Sequence, residues 1–449
     1  MTRHLVVGRF DATDKVRIAK ARDELQTVLP LFQNAHLGHG IGRALKDLHE
    51  LGLTPSEIGV DLLIVAAHVH AADTRISRGS EAQDGWTRQI RLVVPVSDPQ
   101  LWSNANPILE RALRFLTGDR WSVGFRKRPK GFATLVTSAP PSLLPIPFDG
   151  VSLFSGGLDS LIGAINTLEA GGSPLLVSHA GEGAVSKSQD QCFGGLKTAY
   201  PSATFERVRV WMNFESSLVE GVQSEETTRG RSFLFFSLAA ASGTGLGREF
   251  VLKVPENGLI ALNVPLDPLR LGALSTRTTH PFYLTRWNEL LHALGIPGRL
   301  ENPYWDMTKG EMVSNCSNHR LLRRLAPESL SCSSPAKGRW KKQPQGHCGY
   351  CLPCLIRRAA LRGADPTPYG VPNLRAAPLD STEAIGQQIR SCQLAIRRLA
   401  ARPALAHTLI HKPGPLFDHP DRHAALADVY RRGLEELGRL LRGVRAEPA

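Results

Sequence analysis

VSLFSGGLDS, Val151 to Ser160, is the stretch whose reading decides the fold of this chain. A short apolar run, VSLF, passes through Ser-Gly-Gly-x-Asp-Ser into LIGAINTLEAGG, where Leu161, Ile162, Ile165 and Leu168 recur at helical spacing. Strand, tight loop and helix therefore stand in that order. Gly156 and Gly157 let the backbone turn sharply and bring its N–H groups against an anion. Ser155 and Ser160 add hydroxyl donors, and the following helix presents its positive N-terminal end to the same point. Residues Ser155, Gly156, Gly157, Leu158, Asp159 and Ser160 thus form a candidate phosphate cradle. An ordinary Gly-rich strand-to-helix turn is the competing explanation, and the ordered apolar flanks weigh against it. The loop lacks the Gly-Lys-Ser/Thr ending of a Walker A motif, so chemistry that releases pyrophosphate fits it better than a kinase or GTPase.

The chain has 449 residues, enough for two or three domains, and 42% hydrophobic with 21% charged residues marks it as globular. Its start, MTRHLVVGRFDATDK, has no signal-peptide apolar core, and the apolar stretch Phe233 to Ala241 is too short to cross a bilayer, so a cytoplasmic protein is expected. Net charge is +13, and the excess is local. Between Cys316 and Arg362 stand Arg320, Arg323, Arg324, Lys337, Arg339, Lys341, Lys342, Arg357, Arg358 and Arg362 against the single acid Glu328. Such a run is either a solvated basic face or a receptor for ATP phosphates, an acidic partner or RNA.

SAPPSLLPIP, from Ser138 to Pro147, is too rich in proline for a helix or central strand and divides the chain. Residues 1–137 read as a mixed α/β domain, with VDLLIVAAHVH and QIRLVVPVS as strands and PILERALRFLTG as a helix. Asp61, His68, His70 and Asp73 fall near one of those strand ends and read as structural. Residues 138–150 are the linker. From 151 to 372, SPLLVSHA, TFERVRVWMNF, EFVLKVP and GLIALNVPL read as strands and RSFLFFSLAAASG as an apolar helix. Alternating strands and helices predict a doubly wound, mostly parallel α/β sheet whose ligands bind beyond the C-terminal strand ends. Residues 373–449 are helical, with apolar faces over TEAIGQQIRSCQLAIRRLA and HAALADVYRRGLEELGRLLRGV that read as a packing cap or partner surface.

Cys332, Cys348, Cys351 and Cys354 lie in SCSSPAKGRWKKQPQGHCGYCLPC. Two overlapping C-x-x-C steps and a fourth cysteine upstream can converge on one tetrahedral Zn²⁺, with Gly349 and Pro353 suiting the knuckle turns. An iron–sulfur cluster or a redox pair is the alternative. Four ligands leave no open position, so the metal is expected to be structural. Cys192, Cys316 and Cys392 stand alone and read as buried thiols.

SGGLDS resembles the pyrophosphate loop of the PP-loop ATPases, which adenylate an oxygen of their substrate with ATP. Together with Cys332 and CGYCLPCLIRR, it resembles the QueC family, the 7-cyano-7-deazaguanine synthases, over roughly Val151 to Arg362. GRSFLFFSLAA is similar to that family's Arg-Asn-x-x-Phe-Leu helix, NPYWDMTKGEMV to its Lys-x-Glu segment, and SLSCSSP to its Thr-x-Ser-Cys-Tyr. The resemblance implies an adenine nucleotide alpha hydrolase-like fold, ATP, Mg²⁺ and Zn²⁺ as cofactors, and an acyl-adenylate formed on a carboxylate such as 7-carboxy-7-deazaguanine. The family's Tyr-Pro-Asp-Cys-Arg substrate segment is not recognisable; VPENGLIALNVPL and STRTTHP stand in its place. The added N-terminal domain and helical tail resemble the layout of QueC-like components of anti-phage defence systems, which implies protein partners.

On this reading Asp159, Arg231 and Lys309 are the candidate catalytic residues. Asp159 would hold Mg²⁺ or the loop itself, or merely complement the helix N-terminus. Arg231 and Lys309 would neutralise pyrophosphate, unless they are surface cations. Glu256 and Asn257, at a strand end, would read the substrate's polar edge, or else form an Asn-Gly turn. Arg277 and His280 would bind a carboxylate or assist proton transfer, or belong to a polar loop. Two other classes stay open: an RNA-modifying PP-loop enzyme of thiolase or lysidine type, and a non-catalytic ATP-sensing subunit of a defence complex.

Overall fold

A computed structural model of the chain describes residues 3–33, 36–82, 84–137, 145–181, 183–225, 227–266, 277–336 and 345–448. Most of the Pro-rich divider, and Lys337, Arg339, Lys341 and Lys342, lie outside them. The chain is α/β and both of its larger sheets are parallel. The first is built from β1 (Arg3–Arg9), β2 (Glu24–Pro30), β3 (Gln89–Val96) and β4 (Arg120–Lys127) in the order β2-β1-β3-β4. Helices α1 (Ile41–Glu50), α2 (Glu57–Arg75) and α3 (Pro99–Thr117) connect it.

VDLLIVAAHVH is part of α2 and not a strand, a correction to the sequence reading. An unbroken apolar run has no period to separate helix from strand, but length decides here: the helix runs 19 residues from a Ser56 cap that accepts from the Gly59 N–H. Being apolar all round, α2 is buried between two layers. Several of its polar residues are paired within the core. Asp61 meets Arg128, Ser97 and Trp102, His68 bonds the Ile64 carbonyl, and Asp73 forms a buried group with Arg78, Arg88 and Asp119.

The second sheet contains β5 (Gly150–Leu153), β6 (Pro174–His179), β7 (Glu206–Val210), β8 (Phe250–Lys253) and β9 (Gly298–Glu301), in the order β9-β8-β5-β6-β7. The strand that opens into SGGLDS is therefore central, with Val151 paired to Leu175 on one side and Leu252 on the other. Chain order reverses between β5 and β8, so the crevice beyond their C-terminal ends is the topological switch point. Alternating residues face opposite layers. Leu175 and Val177 join a core with α6 (Arg231–Thr244) and α8 (Pro281–Ala293), while Leu176 joins α4 (Leu158–Glu169) and α5 (Gly183–Ala199). Helices α2 and α6 pack closely enough that a Cβ on Gly59 would stand 2.6 Å from Thr244 Oγ1, and one apolar core spans both sheets.

GLIALNVPL is likewise not a strand. Asn257 caps a five-residue helix, α7 (Gly258–Leu262), through its Oδ1 and the Ile260 N–H at 3.1 Å. Helices α9 (Lys309–Ser314), α10 (His319–Leu325) and α11 (Leu352–Leu361) follow. The C-terminal helices α12 (Ala384–Ala401) and α13 (His423–Leu440) form a separate apolar cluster against α7 and α11, so of the packing cap or partner surface their sequence suggests, the packing is seen.

Candidate active site and metal centre

Gly156 takes φ +82°, a left-handed conformation suited to glycine, and a Cβ there would press on Gln189 and Ser188 at 3.0–3.2 Å. The Gly156 carbonyl accepts from Ser188 Oγ at 2.7 Å and from the Leu330 N–H at 2.8 Å. Ser155 and Ser160 hydroxyls lie 3.2 Å apart, and Ser160 also donates to the Gly157 carbonyl at 3.0 Å. The backbone carbonyls are thus turned inward to the protein. Helix α4 begins at Leu158, directly after the glycines, so its unpaired N–H groups open at the loop.

Asp159 points the other way, into the protein. Its Oδ1 is 3.1 Å from Lys309 Nζ, and its Oδ2 accepts from Asn257 Nδ2 at 2.7 Å and the Asn257 N–H at 3.2 Å. Asp159 and Lys309 are both buried. Burial opposes the Asp159 charge, but Lys309 and hydrogen bonds from Glu256 and Asn257 outweigh it and hold the carboxyl below its ordinary range. Glu256 moves the opposite way. Burial of its carboxyl, then the Asp159 charge and the hydrogen bond between them, raise it well above the usual carboxylate value. One ammonium serves two carboxyl groups, and the two are driven apart, Asp159 downward and Glu256 upward. Of the roles considered for Asp159, loop-holding is the one this geometry favours, since a cation at its oxygens would have to displace Lys309 or Asn257.

Lys309 is itself set by its neighbours. Thr308 caps α9 in a capping box with Glu311, and Glu436 of α13 accepts from Thr308 Oγ1 at 2.6 Å and the Gly310 N–H at 3.2 Å. The C-terminal cap therefore braces the segment that carries the candidate lysine.

Arg231 lies at the start of α6, beside the end of β6. Its Nε donates to His179 Nδ1 at 3.3 Å, and its guanidinium abuts Gly181. Gln189 Nε2 links this corner to the loop, donating to the Ser155 carbonyl at 3.3 Å and the His179 carbonyl at 3.0 Å. Burial first, then the Arg231 charge, hold His179 down to about 2, so the ring is neutral. His70 of α2 packs beside it and is likewise lowered, to about 4, by burial and Arg231.

The structure gathers Ser155 to Ser160, Glu256, Asn257 and Lys309 at the switch point, with Arg231 at the adjoining corner. It does not bring Arg277 and His280 there. Arg277 donates to the Phe115 carbonyl at 2.9 Å, and His280 caps α8 while its ring packs on Phe115.

The four cysteine sulfurs all lie within 4.8 Å of one another, with Cys332 to Cys351 at 3.9 Å and Cys348 to Cys354 at 4.0 Å. A tetrahedral metal with Zn–S bonds of about 2.3 Å sets its sulfurs about 3.8 Å apart, so the cluster can hold a metal such as zinc. The Cys351 N–H donates to Cys348 Sγ at 3.3 Å, and Gly349, at φ +88°, sits where a Cβ would lie 2.8 Å from the Val371 carbonyl. Cys192, Cys316 and Cys392 are buried and separate, as expected.

Sequence reasoning missed what joins the two motifs. Ser329, Leu330 and Ser331 run directly into Cys332, and Leu330 is the residue that bonds Gly156. Arg357, counted in the sequence as part of a basic face, is fully buried. Its guanidinium donates to Ser329 Oγ at 2.8 Å, Thr367 Oγ1 at 2.9 Å and the Ala326 carbonyl. Its position after CGYCLPC was the available signal. No protein-family model matches the chain, and a search of curated proteins finds no match either. Among the described residues no helix is long and apolar enough to cross a membrane.

Proposed function

We propose that this chain is a QueC-like PP-loop ATPase that adenylates a carboxylate, 7-carboxy-7-deazaguanine or a related acid. The acyl group then passes to ammonia or to an amine on a partner protein, within an anti-phage defence system. The observation that carries the reading is the SGGLDS loop at the switch point of a parallel sheet, with the uncapped start of α4 at its end and its Asp159 tied to Lys309.

In the proposed reaction a carboxylate oxygen attacks the α-phosphorus of ATP, the bond from that phosphorus to the β-bridging oxygen breaks, and pyrophosphate leaves. The amine nitrogen next attacks the acyl carbon, its proton is released and AMP departs. Negative charge grows on the phosphate oxygens, where preorganised donors stabilise it without reorganisation. The N–H groups at the start of α4 and Ser155 supply those donors, Ser160 joins them on turning from the Gly157 carbonyl, and Arg231 lies at the corner nearest the end of β6. Mg²⁺ would supply further positive charge to the same oxygens. Zn²⁺ at Cys332, Cys348, Cys351 and Cys354 would fix the Leu330 segment against Gly156.

The test is to incubate the full-length protein with ATP, Mg²⁺, ammonium and 7-carboxy-7-deazaguanine and to identify the nucleotide products. AMP and pyrophosphate, lost in Ser155→Ala, are expected. ADP and phosphate would overturn the reading.

A further inference from the structure

A cavity of about 780 Å³ opens on the far side of the cysteine knuckle, between the end of α11 and α13. Four arginines line it: Arg358, Arg362, Arg375 and Arg439. The two acids in its wall are already engaged. Asp365 accepts from the Tyr369 hydroxyl and the Thr367 N–H, and Glu436 is held by Thr308 and Gly310. No salt bridge forms to any of the four guanidiniums among the described residues, and Arg362, Arg375 and Arg439 are exposed. Arg358 donates to the Gly349, Val371 and Pro372 carbonyls, which fixes it in the wall. Arg375 donates to the Arg442 carbonyl at 2.9 Å and the Leu440 carbonyl at 3.3 Å, which anchors it beside the end of α13.

Arg362 also holds an unusual backbone conformation. It sits at φ +52°, ψ −142°, a backbone conformation that glycine adopts readily and other residues at a cost. The chain therefore turns here through an arginine, immediately before Gly363, where a glycine would fit more easily.

We propose that this groove binds the phosphodiester backbone of a nucleic acid. Planar guanidiniums match phosphate oxygens two at a time. An acidic protein segment would satisfy the same charges, but a protein partner also needs an apolar or aromatic anchor at the centre of the contact. Here the one aromatic ring, Tyr369, is already covered by Arg358 at 4.6 Å, and the remaining apolar wall is Ala359, Leu440 and prolines. The groove is separate from the SGGLDS loop, so this inference stands or falls independently of adenylation.

Fluorescence anisotropy with labelled single-stranded RNA and DNA of about 20 nucleotides, and with a labelled polyglutamate peptide, tests it on the full-length zinc-loaded chain. Saturable binding of RNA, DNA or both is expected, with log K falling against log salt at a slope of about −3 for four phosphate contacts. Combined Arg362→Gly, Arg375→Ala and Arg439→Ala is expected to weaken binding at least tenfold and to reduce the slope by about 2, with ATP turnover unchanged. Should that variant lose its metal, Arg439→Glu alone is read, with about threefold weaker binding expected. Absence of saturable binding, unchanged affinity in the variants, or tighter binding of the peptide than of either nucleic acid would overturn the proposal.

Discussion

Two devices hold the SGGLDS loop in place, and they work by different chemistry. On one side, four cysteine sulfurs gather within bonding range of a single metal, and the chain leading into Cys332 donates a backbone N–H to Gly156. On the other, Asp159 is held from inside by Lys309 and Asn257, beside the raised carboxyl of Glu256. The first is a closed site with no spare ligand position. The second sets two carboxyl groups against one ammonium and pulls their titrations in opposite directions. A metal at the cysteines would thus act on the structure around the loop, whereas protonation would act on the electrostatics behind it.

Removing the metal is the harshest way to separate these devices. Structural zinc contributes on the order of 10 kcal/mol to small metal-bound folds. The purified chain is expected to hold about one zinc by elemental analysis. Cys354→Ser or chelation should lower the melting temperature sharply and weaken ATP binding through the lost Leu330 contact. A folded chain that never contained metal would break the comparison.

Lys309→Met acts on the other device. It strands Asp159 in the interior, a loss of about 3–5 kcal/mol when a buried pair is broken. Turnover is expected to fall about 100-fold, in line with the removal of one preorganised charge. Adding Asp159→Asn should restore much of the melting temperature but not the turnover. Recovery of both would make the pair merely structural.

Glu256→Gln is the mildest change. The raised carboxyl of Glu256 stabilises the fold fully at pH below its unfolded value and loses that contribution as pH rises through its folded value. Glutamine retains a donor for Asp159 and does not titrate. The variant's melting temperature should therefore gain on the parent's as pH is raised. A constant difference across pH would mean that Glu256 is already ionised.

The same contrast explains what the sequence made legible. The cysteine knuckle is written locally, because three of its ligands sit at three-residue spacing, and SGGLDS was readable because a strand, two glycines and a helix must follow one another. Lys309 and Glu256 could be named as candidates, but nothing local announces that they meet Asp159. Their partnership is made by the reversal of strand order between β5 and β8. VDLLIVAAHVH and GLIALNVPL misled because continuous apolar runs carry no period, and the first became a helix only through its full length and its Ser56 cap. Arg277 and His280 sit near their expected place in the chain, yet Phe115 of the N-terminal half holds them away from the loop.

The central claim, that the loop serves attack of a carboxylate on the α-phosphorus, is tested most directly by isotope transfer. With substrate labelled by ¹⁸O in both carboxylate oxygens, mass spectrometry of the AMP formed should find one ¹⁸O atom in each molecule. Unlabelled AMP, or label in none of the nucleotide products, would contradict the account.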